Sequence, residues 1–398
     1  MPENPLTIAF TGGGTGGHIY PGLAVIARLR ESPAGACRIL WLGSGTGMDR
    51  SLVEGAGLEF YGIPSGRLRR YLTLKTIPDL FRVLAGFFAA RSILKKLRPV
   101  LLFSKGGFVS VPPCAAAASL GIPVYTHESD VSPGLATRIN LRFVRRTGGR
   151  IFTAYQDTAA FLSPAYRSLV TVCGNPVRPA FRSADGAAGR SFLGLGAEER
   201  VLLVLGGSQG ARELNALVRE ALPELTRHYT VVHQTGPGND GPAAFPAPGD
   251  RYKVYPFIGE EMPQVLAAAE LVLSRSGAGT VWESAVLGKP MVLLPLRGSG
   301  TRGDQVENAR FFERSGAAVT LPPGAGAADL GRLIGALAGD RERLAAMAAA
   351  AAEIGRTDGA ALIAAALTEA AGLSRNNGAG LFRHKGAKGL QAPERGAP

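Results

Sequence analysis

The sequence predicts an α/β protein made of two doubly wound parallel-sheet domains that face a central cleft. Short apolar runs alternate with segments of helical periodicity along most of the chain, which is the pattern of strands buried between helices. A strand, a glycine-rich turn and a helix follow one another near residue 10, and the same order returns near residue 205. Such a repeat indicates two similar halves.

Length and composition agree with this organisation. The chain has 398 residues, of which 46% are hydrophobic and 19% are charged, so it can bury complete domain cores. We expect an N-terminal domain at residues 1–175, a linker at 176–190 and a C-terminal domain at 191–372. Residues 373–398 are rich in Gly, Pro and cationic side chains and poor in apolar ones, so we expect a disordered tail.

The net charge of +13 is concentrated in the first half of the chain. Residues 1–180 contain 21 Lys and Arg against 9 Asp and Glu, whereas residues 181–398 contain 23 against 22. This excess predicts an anionic partner: nucleic acid, an anionic membrane surface or a phosphorylated substrate. The sequence has no recognisable helix-turn-helix, zinc-finger or single-strand-binding pattern, so we expect no nucleic-acid partner.

The sequence predicts neither a membrane span nor a disulfide. Its longest uncharged apolar segment outside the Ala-rich C-terminal helices is Val83–Ala90, far shorter than the roughly 20 residues that cross a bilayer. The N-terminal residues run directly into a strand without a signal peptide, so we expect a cytoplasmic protein. Cys37, Cys114 and Cys173 lie in apolar surroundings without CxxC spacing, which favours buried free thiols.

The first predicted unit is a strand at Leu6–Thr11, a glycine turn at Gly12–Gly17 and a helix from about Tyr20 to Arg30. The turn matches GxGxxG, but the next strand is not followed by the acidic residue that would hold an adenosine ribose, so a dinucleotide site is weakly supported. His18 closes the turn. It is either a hydrogen-bonded loop residue or a catalytic base.

Further strands are predicted at Leu58–Ile63, Val100–Phe103 and Val124–His127, and polar turns follow the last two. Between the first two of these strands lies a basic segment with an apolar stripe at helical spacing. It is either a core-facing helix with a basic outer face or an interfacial membrane helix. The charge excess favours the membrane, with Ile77, Leu80, Phe81, Leu84 and Phe87 inserting and Arg67, Arg69, Arg70, Lys75, Arg82, Arg91, Lys95 and Lys96 meeting headgroups.

The second half opens with a strand at Val201–Leu205 and reaches its most informative unit at residues 271–308. There, a strand ends in the turn Ser276–Gly279, and the helix predicted from about Thr280 presents free N–H groups that suit a phosphate. Glu283 follows one helical turn later, where a carboxylate suits neutral hydroxyls such as a ribose diol. The unit favours a nucleotide sugar, although an ordinary βαβ unit with an incidental Glu has the same pattern.

Four motifs in register resemble those of the MurG-type transferase family. They are Gly13–His18 before Ile19–Gly22, then Gly174–Arg178, Gly206–Ala211, and Arg275–Ala278 leading to Glu283. The resemblance covers residues 5 to about 370. It implies the GT-B fold of two Rossmann-like domains, and transfer of N-acetylglucosamine from its UDP form to undecaprenyl-pyrophosphoryl-N-acetylmuramoyl-pentapeptide. It also implies peripheral attachment to the cytoplasmic face of the inner membrane.

The resemblance also implies roles for individual residues. Glu283 would hold the uridine ribose, and backbone groups of Ile258 would meet uracil. His18 would be the general base, with Glu128 as the next candidate. The other implied contacts are Ser208, Ala278 and Thr280 at the diphosphate, Arg178 and Gln305 along the donor site, and Thr15, Gly16 and Gly17 toward the sugar and acceptor.

Two positions depart from the family pattern. Asp130 stands where some members have an amide that contacts the donor, and Gly279 replaces a bulkier residue whose backbone contact remains possible. The implied mechanism is an inverting displacement by the acceptor 4-hydroxyl. No Asp-x-Asp motif occurs, so we expect neither a tightly bound metal nor another cofactor. The alternatives are another GT-B transferase with a lipid or natural-product acceptor, a UDP-sugar epimerase, and a dinucleotide-dependent oxidoreductase.

Overall fold

The structure is a computed structural model that describes residues 6–32, 37–45, 47–66, 76–207, 210–238, 250–298 and 302–372, with only the backbone of residues 76 and 77. The predicted tail and the basic residues Arg67, Arg69, Arg70 and Lys75 lie outside these ranges, as does Ser208. The side chain of Ile77, the first residue of the predicted apolar stripe, is likewise not among the described atoms.

The first domain contains a seven-stranded parallel sheet in the order β3-β2-β1-β4-β5-β6-β7. Its central strand β1 is buried at every residue, as a parallel sheet covered on both faces requires. The strands are β1 (Thr7–Thr11), β2 (Arg38–Ser44), β3 (Glu59–Ile63), β4 (Leu101–Ser104), β5 (Val124–Glu128), β6 (Ile151–Thr153) and β7 (Val170–Val172).

Six helices alternate with these strands. They are α1 (Gly16–Glu31), α2 (Met48–Gly55), α3 (Thr76–Leu97), α4 (Val111–Ser119), α5 (Leu135–Thr147) and α6 (Pro164–Arg167). Helices α3, α4 and α5 pack on one face of the sheet around a common core. Helices α1 and α2 pack on the opposite face, so the domain has three layers.

The second domain contains a six-stranded parallel sheet in the order β10-β9-β8-β11-β12-β13. Its strands are β8 (Val201–Leu205), β9 (Thr230–Gln234), β10 (Tyr252–Tyr255), β11 (Leu271–Ser274), β12 (Met291–Leu293) and β13 (Ala318–Thr320). The remaining helices are α7 (Pro179–Arg182), α8 (Gly186–Leu193), α9 (Arg212–His228), α10 (Met262–Ala268), α11 (Ala278–Val286), α12 (Asp304–Arg314), α13 (Ala327–Gly339), α14 (Arg341–Gly355) and α15 (Gly359–Ala370).

The two parallel-sheet domains confirm the predicted fold class, but the chain returns to the first domain at its end. Helix α15 buries Ile363 and Leu367 in the core beside α1, and Arg28 of α1 pairs with Asp358 at 2.8 Å. The expected domain at 191–372 therefore includes a helix that belongs to the first domain. An Ala-rich apolar stripe alone does not reveal which of two sheets it covers.

The expected linker is also shorter in the structure. Helix α8 packs closely against α10. Gly189 permits this approach, because a Cβ atom there would come within 2.0 Å of the Gln264 carbonyl oxygen. Most of the expected linker at 176–190 therefore packs on the second domain, since Val177 and Phe181 also lie in its core.

Candidate active site

The carboxyl ends of β1, β4 and β5 bring three loops of the first domain together. In the first loop, the buried Asp49 carboxylate accepts the Gly14 N–H at 3.0 Å. A side chain at Gly13 would come within 2.1 Å of that carboxylate, so only glycine allows the contact. Asp49 was not among the predicted site residues, because a single acid at a helix start has no distinctive sequence signal.

His18 is the third residue of α1, and its ring lies against the turn that follows β4. A side chain at Gly107 would meet the His18 Cδ2 atom at 3.0 Å. Within the described ranges, no hydrogen-bond partner reaches the buried Nδ1. Burial, followed by the nearby Lys105 ammonium, lowers the pKa of His18 to about 4. The imidazole is therefore neutral at neutral pH and can accept a proton.

Lys105 is almost fully buried beside this histidine. Its Nζ donates to Ser129 Oγ at 2.6 Å, and Ser129 Oγ donates to Asn175 Oδ1 at 2.7 Å. Burial lowers the pKa of Lys105 to about 8, against the opposing effect of the Glu128 and Asp130 carboxylates. Lys105 was not among the predicted site residues, because a single lysine in a turn after a strand has no distinctive sequence signal.

Glu128 ends β5 and stabilises the loop that follows it. Its two carboxylate oxygens accept the backbone N–H groups of Asp130 and Gly134, each at 3.1 Å. The side chain therefore has a structural role in this loop, whatever its part in proton transfer.

Asp130 reaches the second domain. Its Oδ2 accepts from Arg302 at 2.9 Å, and its Oδ1 accepts from Asn308 at 3.0 Å. Burial, then the neighbouring Glu128 carboxylate, raises the pKa of Asp130. The loop that follows β5 in the first domain is thus joined directly to the start of α12.

Helix α11 begins at Ala278, two residues before the predicted start. Gly277 at its N-terminal end has an ordinary extended backbone, so Ala278, Gly279 and Thr280 form the first turn. First-turn N–H groups have no partners within a helix. These residues are half-buried, and their free N–H groups suit an anionic group.

Glu283 lies one turn further along α11 and is half-buried. Burial raises its pKa to about 7, and the Arg178 guanidinium acts in the opposite direction. Arg178 itself stacks over the rings of Tyr20 and Phe181, with its guanidinium carbon 4.9 and 5.0 Å from the two centroids. The structure therefore brings two predicted donor-site residues together, and it adds Tyr20 from the first domain.

Two other predicted donor residues are held by side-chain hydrogen bonds. The Ile258 N–H donates to Gln234 Oε1 at 2.9 Å, so a base here would meet the Ile258 carbonyl oxygen or displace Gln234. Gln305 Oε1 accepts the Leu296 N–H at 2.9 Å, and the Gln305 carbonyl accepts from Ser276 Oγ at 2.7 Å. Gln305 thereby connects three loops of the second domain.

The first-domain residues Thr15, Gly16 and Gly17 lie at the start of α1, where Thr15 and Gly17 are exposed. They directly precede His18 in the chain and therefore lie beside it. In the described part of the chain, no three His, Cys, Asp or Glu residues form a possible metal site. Metal-independent chemistry remains a prediction.

The basic helix α3 exposes an apolar stripe. Leu80, Phe81, Leu84 and Phe88 are between 47% and 66% exposed. Phe87 is instead half-buried against the core formed with α4 and α5. The structure therefore removes Phe87 from the residues expected to insert into the membrane. Arg82 is exposed and pairs with Asp79 at 3.5 Å, while Arg91 donates to Ser119 at 3.2 Å.

Helix α5 adds a second basic surface in the same layer of helices. Four exposed arginines lie three, four, seven or eight residues apart, apart from one adjacent pair, and therefore share one face: Arg138, Arg142, Arg145 and Arg146. This spacing was not among the predicted features. None of the described helices is long and apolar enough to cross a membrane.

Comparisons with known proteins agree with this architecture. Residues 8–148 match the glycosyltransferase family 28 N-terminal domain, and residues 201–363 match the family's C-terminal domain. A Treponema denticola protein named UDP-N-acetylglucosamine–N-acetylmuramyl-(pentapeptide) pyrophosphoryl-undecaprenol N-acetylglucosamine transferase is 51% identical over 331 residues, covering 79% of this chain and 83% of its own. A Bacillus cereus protein of the same name, numbered 2, is 41% identical over 314 residues, covering 79% and 86%.

Solved structures show the same relationship. The crystal structure of Acinetobacter baumannii MurG superposes with a TM-score of 0.71 at 26% identity, covering 92% of this chain and all of that one. A structure described as a UDP-N-acetylglucosamine 2-epimerase from Listeria monocytogenes superposes with a TM-score of 0.66 at 14% identity, covering 92% and 96%. At that identity the second likeness concerns the fold alone.

Proposed function

The chain belongs to glycosyltransferase family 28, and we propose that it transfers N-acetylglucosamine from UDP-N-acetylglucosamine to undecaprenyl-pyrophosphoryl-N-acetylmuramoyl-pentapeptide. The curated relatives at 40–51% identity carry the name of this reaction. One structural observation carries the assignment of the site: Asp130, in the loop that follows β5, accepts hydrogen bonds from Arg302 and from Asn308 of α12, the helix that also bears Gln305. The His18 ring lies against the turn after β4, and Lys105 of that turn donates to Ser129, the residue before Asp130.

The donor would lie along the second domain. The Glu283 carboxylate accepts the hydroxyls of the ribose, and the first turn of α11 binds the diphosphate through backbone N–H groups. Arg178 faces Glu283 across the site and supplies a positive charge near the nucleotide. Gln305 orients the sugar toward the first domain.

The acceptor 4-hydroxyl would then attack the anomeric carbon from the face opposite UDP. The neutral His18 imidazole takes the hydroxyl proton as the new glycosidic bond forms, and the bond to the UDP oxygen breaks with inversion. The negative charge that develops on the diphosphate is stabilised by the first-turn N–H groups of α11. The proton ends on His18, and UDP leaves with the bonding electron pair.

Attachment to an anionic membrane surface supports access to a polyprenyl-linked acceptor. Helices α3 and α5 lie in one layer, and together they present the exposed apolar stripe and a face of arginines. Shallow insertion of the stripe, with basic side chains at anionic headgroups, is how interfacial helices bind. We place this surface on the cytoplasmic face of the inner membrane.

A single assay separates these functions. The protein is incubated with UDP-N-acetylglucosamine alone, then with the undecaprenyl-linked muramoyl-pentapeptide, and products are identified by mass spectrometry. We expect UDP and the disaccharide lipid only when the acceptor is present. Conversion of the nucleotide sugar without acceptor would establish an epimerase, and transfer only to an unrelated acceptor would establish another transferase of the same fold.

A further inference from the structure

Asp130 is held rigidly by its own domain. Its N–H donates to the Glu128 carboxylate at 3.1 Å, and its carbonyl oxygen accepts from Thr158 at 3.4 Å. The residue before it, Ser129, is hydrogen-bonded to the buried Lys105 at 2.6 Å. A carboxylate on so constrained a backbone has little freedom to choose its partners.

The partners of Asp130 lie at the start of α12 in the second domain. The fully buried Asn308 donates to Asp130, accepts the Val131 N–H at 3.0 Å and donates to the Ser276 carbonyl at 3.1 Å. Arg302 pairs with Asp130 at 2.9 Å and with Asp304 at 3.2 Å. These bonds connect the first domain to the loops that carry Gln305 and the first turn of α11.

The site is also shaped to receive this arginine. A side chain at Gly134 would come within 2.6 Å of the Arg302 Nη1 atom, so the absence of one provides the space in which the guanidinium lies. The side chain of Arg302 is only one-third exposed and that of Asp130 less than one-fifth. An amide at position 130 could accept from Asn308 but could not form an ion pair with the guanidinium.

We propose that Asp130 is a positioning residue that acts through Arg302 and Asn308. The interdomain ion pair aligns the donor-sugar side chain Gln305 with the base on the opposite domain. This inference rests on the proposed function for its effect on turnover, but the bridge itself does not. It also explains why a carboxylate can replace the amide expected from the family pattern: the residue pairs with protein groups instead of contacting the donor.

The test is a double-mutant cycle with Asp130→Asn, Arg302→Gln and the combination of both. We expect each single variant to lower kcat about 10-fold, in the range for a lost charge-assisted hydrogen bond. UDP affinity by calorimetry should stay within about twofold. The double variant should be no slower than the slower single one, because both changes remove the same interaction.

Hydrogen exchange without substrate supplies an independent readout. Backbone amides of residues 305–308 should exchange faster in both single variants. Arg314→Gln is the matched control, since Arg314 also joins α12 to the first domain through Asp157. It should leave kcat and the exchange at residues 305–308 unchanged.

Several outcomes would overturn the proposal. Multiplicative losses in the double variant, an effect of Asp130→Asn on donor KM without an effect of Arg302→Gln, or weakened UDP binding would each assign these residues to direct substrate contact. Unchanged exchange would show that the bridge does not hold α12. If the wild-type protein fails to transfer the sugar, the proposed function fails, while the exchange experiment still decides whether the bridge exists.

Discussion

Two units of the molecule have the same architecture and different chemistry. In each sheet a central strand, β1 or β11, runs into a glycine-bearing turn and then into a helix at the cleft. The glycine-bearing turn after β1 is long, and the Asp49 carboxylate holds it by accepting the Gly14 N–H. The second is short, and Gly277 in an extended conformation leads directly into the first turn of α11. A similar fold thus presents a side chain in one domain and helix N–H groups in the other.

Burial shifts the titrating group of each unit toward its neutral form. The pKa of His18 falls to about 4, and that of Glu283 rises to about 7. The consequences differ because the neutral imidazole is the form that accepts a proton, although its lowered pKa makes it a weaker base, whereas a neutral carboxyl group is a poorer hydrogen-bond acceptor than a carboxylate. The comparison teaches that at neutral pH the titrating group of the first unit is fully in the form its proposed role requires, whereas that of the second is only partly so.

Replacing His18 by Ala gives the most severe test of this contrast. Loss of the base should lower kcat about 100- to 10,000-fold while UDP affinity, which belongs to the other unit, changes less than about twofold. Single-turnover kinetics and calorimetry measure the two quantities. Near-normal turnover would move proton transfer elsewhere, with Glu128 as the next candidate.

Glu128→Gln provides the comparison for that experiment. Because both Glu128 oxygens accept backbone N–H groups, we expect a loss of about 10-fold through displacement of the loop. A loss as large as that of His18→Ala would argue that the carboxylate takes part in proton transfer.

Replacing Glu283 by Ala tests the second unit. Removing charge-assisted hydrogen bonds worth about 1.5 to 3 kcal/mol should weaken UDP binding by about 10- to 150-fold. Calorimetry measures the affinity for UDP and, as a control, for pyrophosphate, which has neither ribose nor uracil. The affinity for pyrophosphate should be the same in Glu283→Ala and wild type. Equal affinity of Glu283→Ala and wild type for UDP would reject the assignment of the ribose site.

The fold could be predicted wherever strands are long and apolar. The runs at Leu6–Thr11 and Val201–Leu205 lie within one residue of β1 and β8. The strands β6, β7 and β13 were not predicted, because each has only three residues and one of them is Thr. Such a segment has neither a period nor an uninterrupted apolar run to detect. The return of α15 to the first domain was missed for another reason: its apolar face fits either core, and only the three-dimensional contact with α1 decides.

The site divides in a similar way. Glycine turns and Glu283 could be found because their roles follow from the adjacent strand and helix. The partners of Asp130 could not, since Arg302 and Asn308 are 172 and 178 residues away and have no motif of their own. Phe87 and Phe88 show the limit within one helix, where periodicity alone did not distinguish the half-buried ring from the exposed one.

The pH dependence of UDP binding sharpens the contrast between the units. If the carboxylate form of Glu283 accepts the ribose hydroxyls as proposed, UDP affinity should fall as pH decreases through about 7, by up to about tenfold per pH unit. The terminal phosphate of UDP titrates near the same range, about pH 6. Its contribution is measured in Glu283→Gln, and only the difference from wild type belongs to Glu283.

The two units should differ in this experiment. Because the pKa of His18 is lowered to about 4, the base stays neutral as pH falls from 8 to 5. With donor saturating, kcat should therefore show no acidic decline from His18 in that interval. A decline of kcat centred near pH 6.5 would mean that the histidine titrates normally and is not buried as described.

The smallest expected effect concerns the proposed membrane surface, which lies on the first domain and has no counterpart proposed on the second. Leu84→Ser with Phe88→Ser should weaken binding to anionic liposomes about fivefold, since shallow insertion of two apolar side chains yields only part of their full burial energy. Transfer to the long-chain acceptor should slow several-fold, and transfer to a short soluble analogue should remain normal.

Phe87→Ser is the matched control: its ring packs on the core, so it should lower the melting temperature rather than liposome binding. If the double variant unfolds while Phe87→Ser does not, the exposed stripe is structural. If it folds and still binds liposomes fully, the arginines of α5 become the principal contact, and a drop in binding at high salt would identify them.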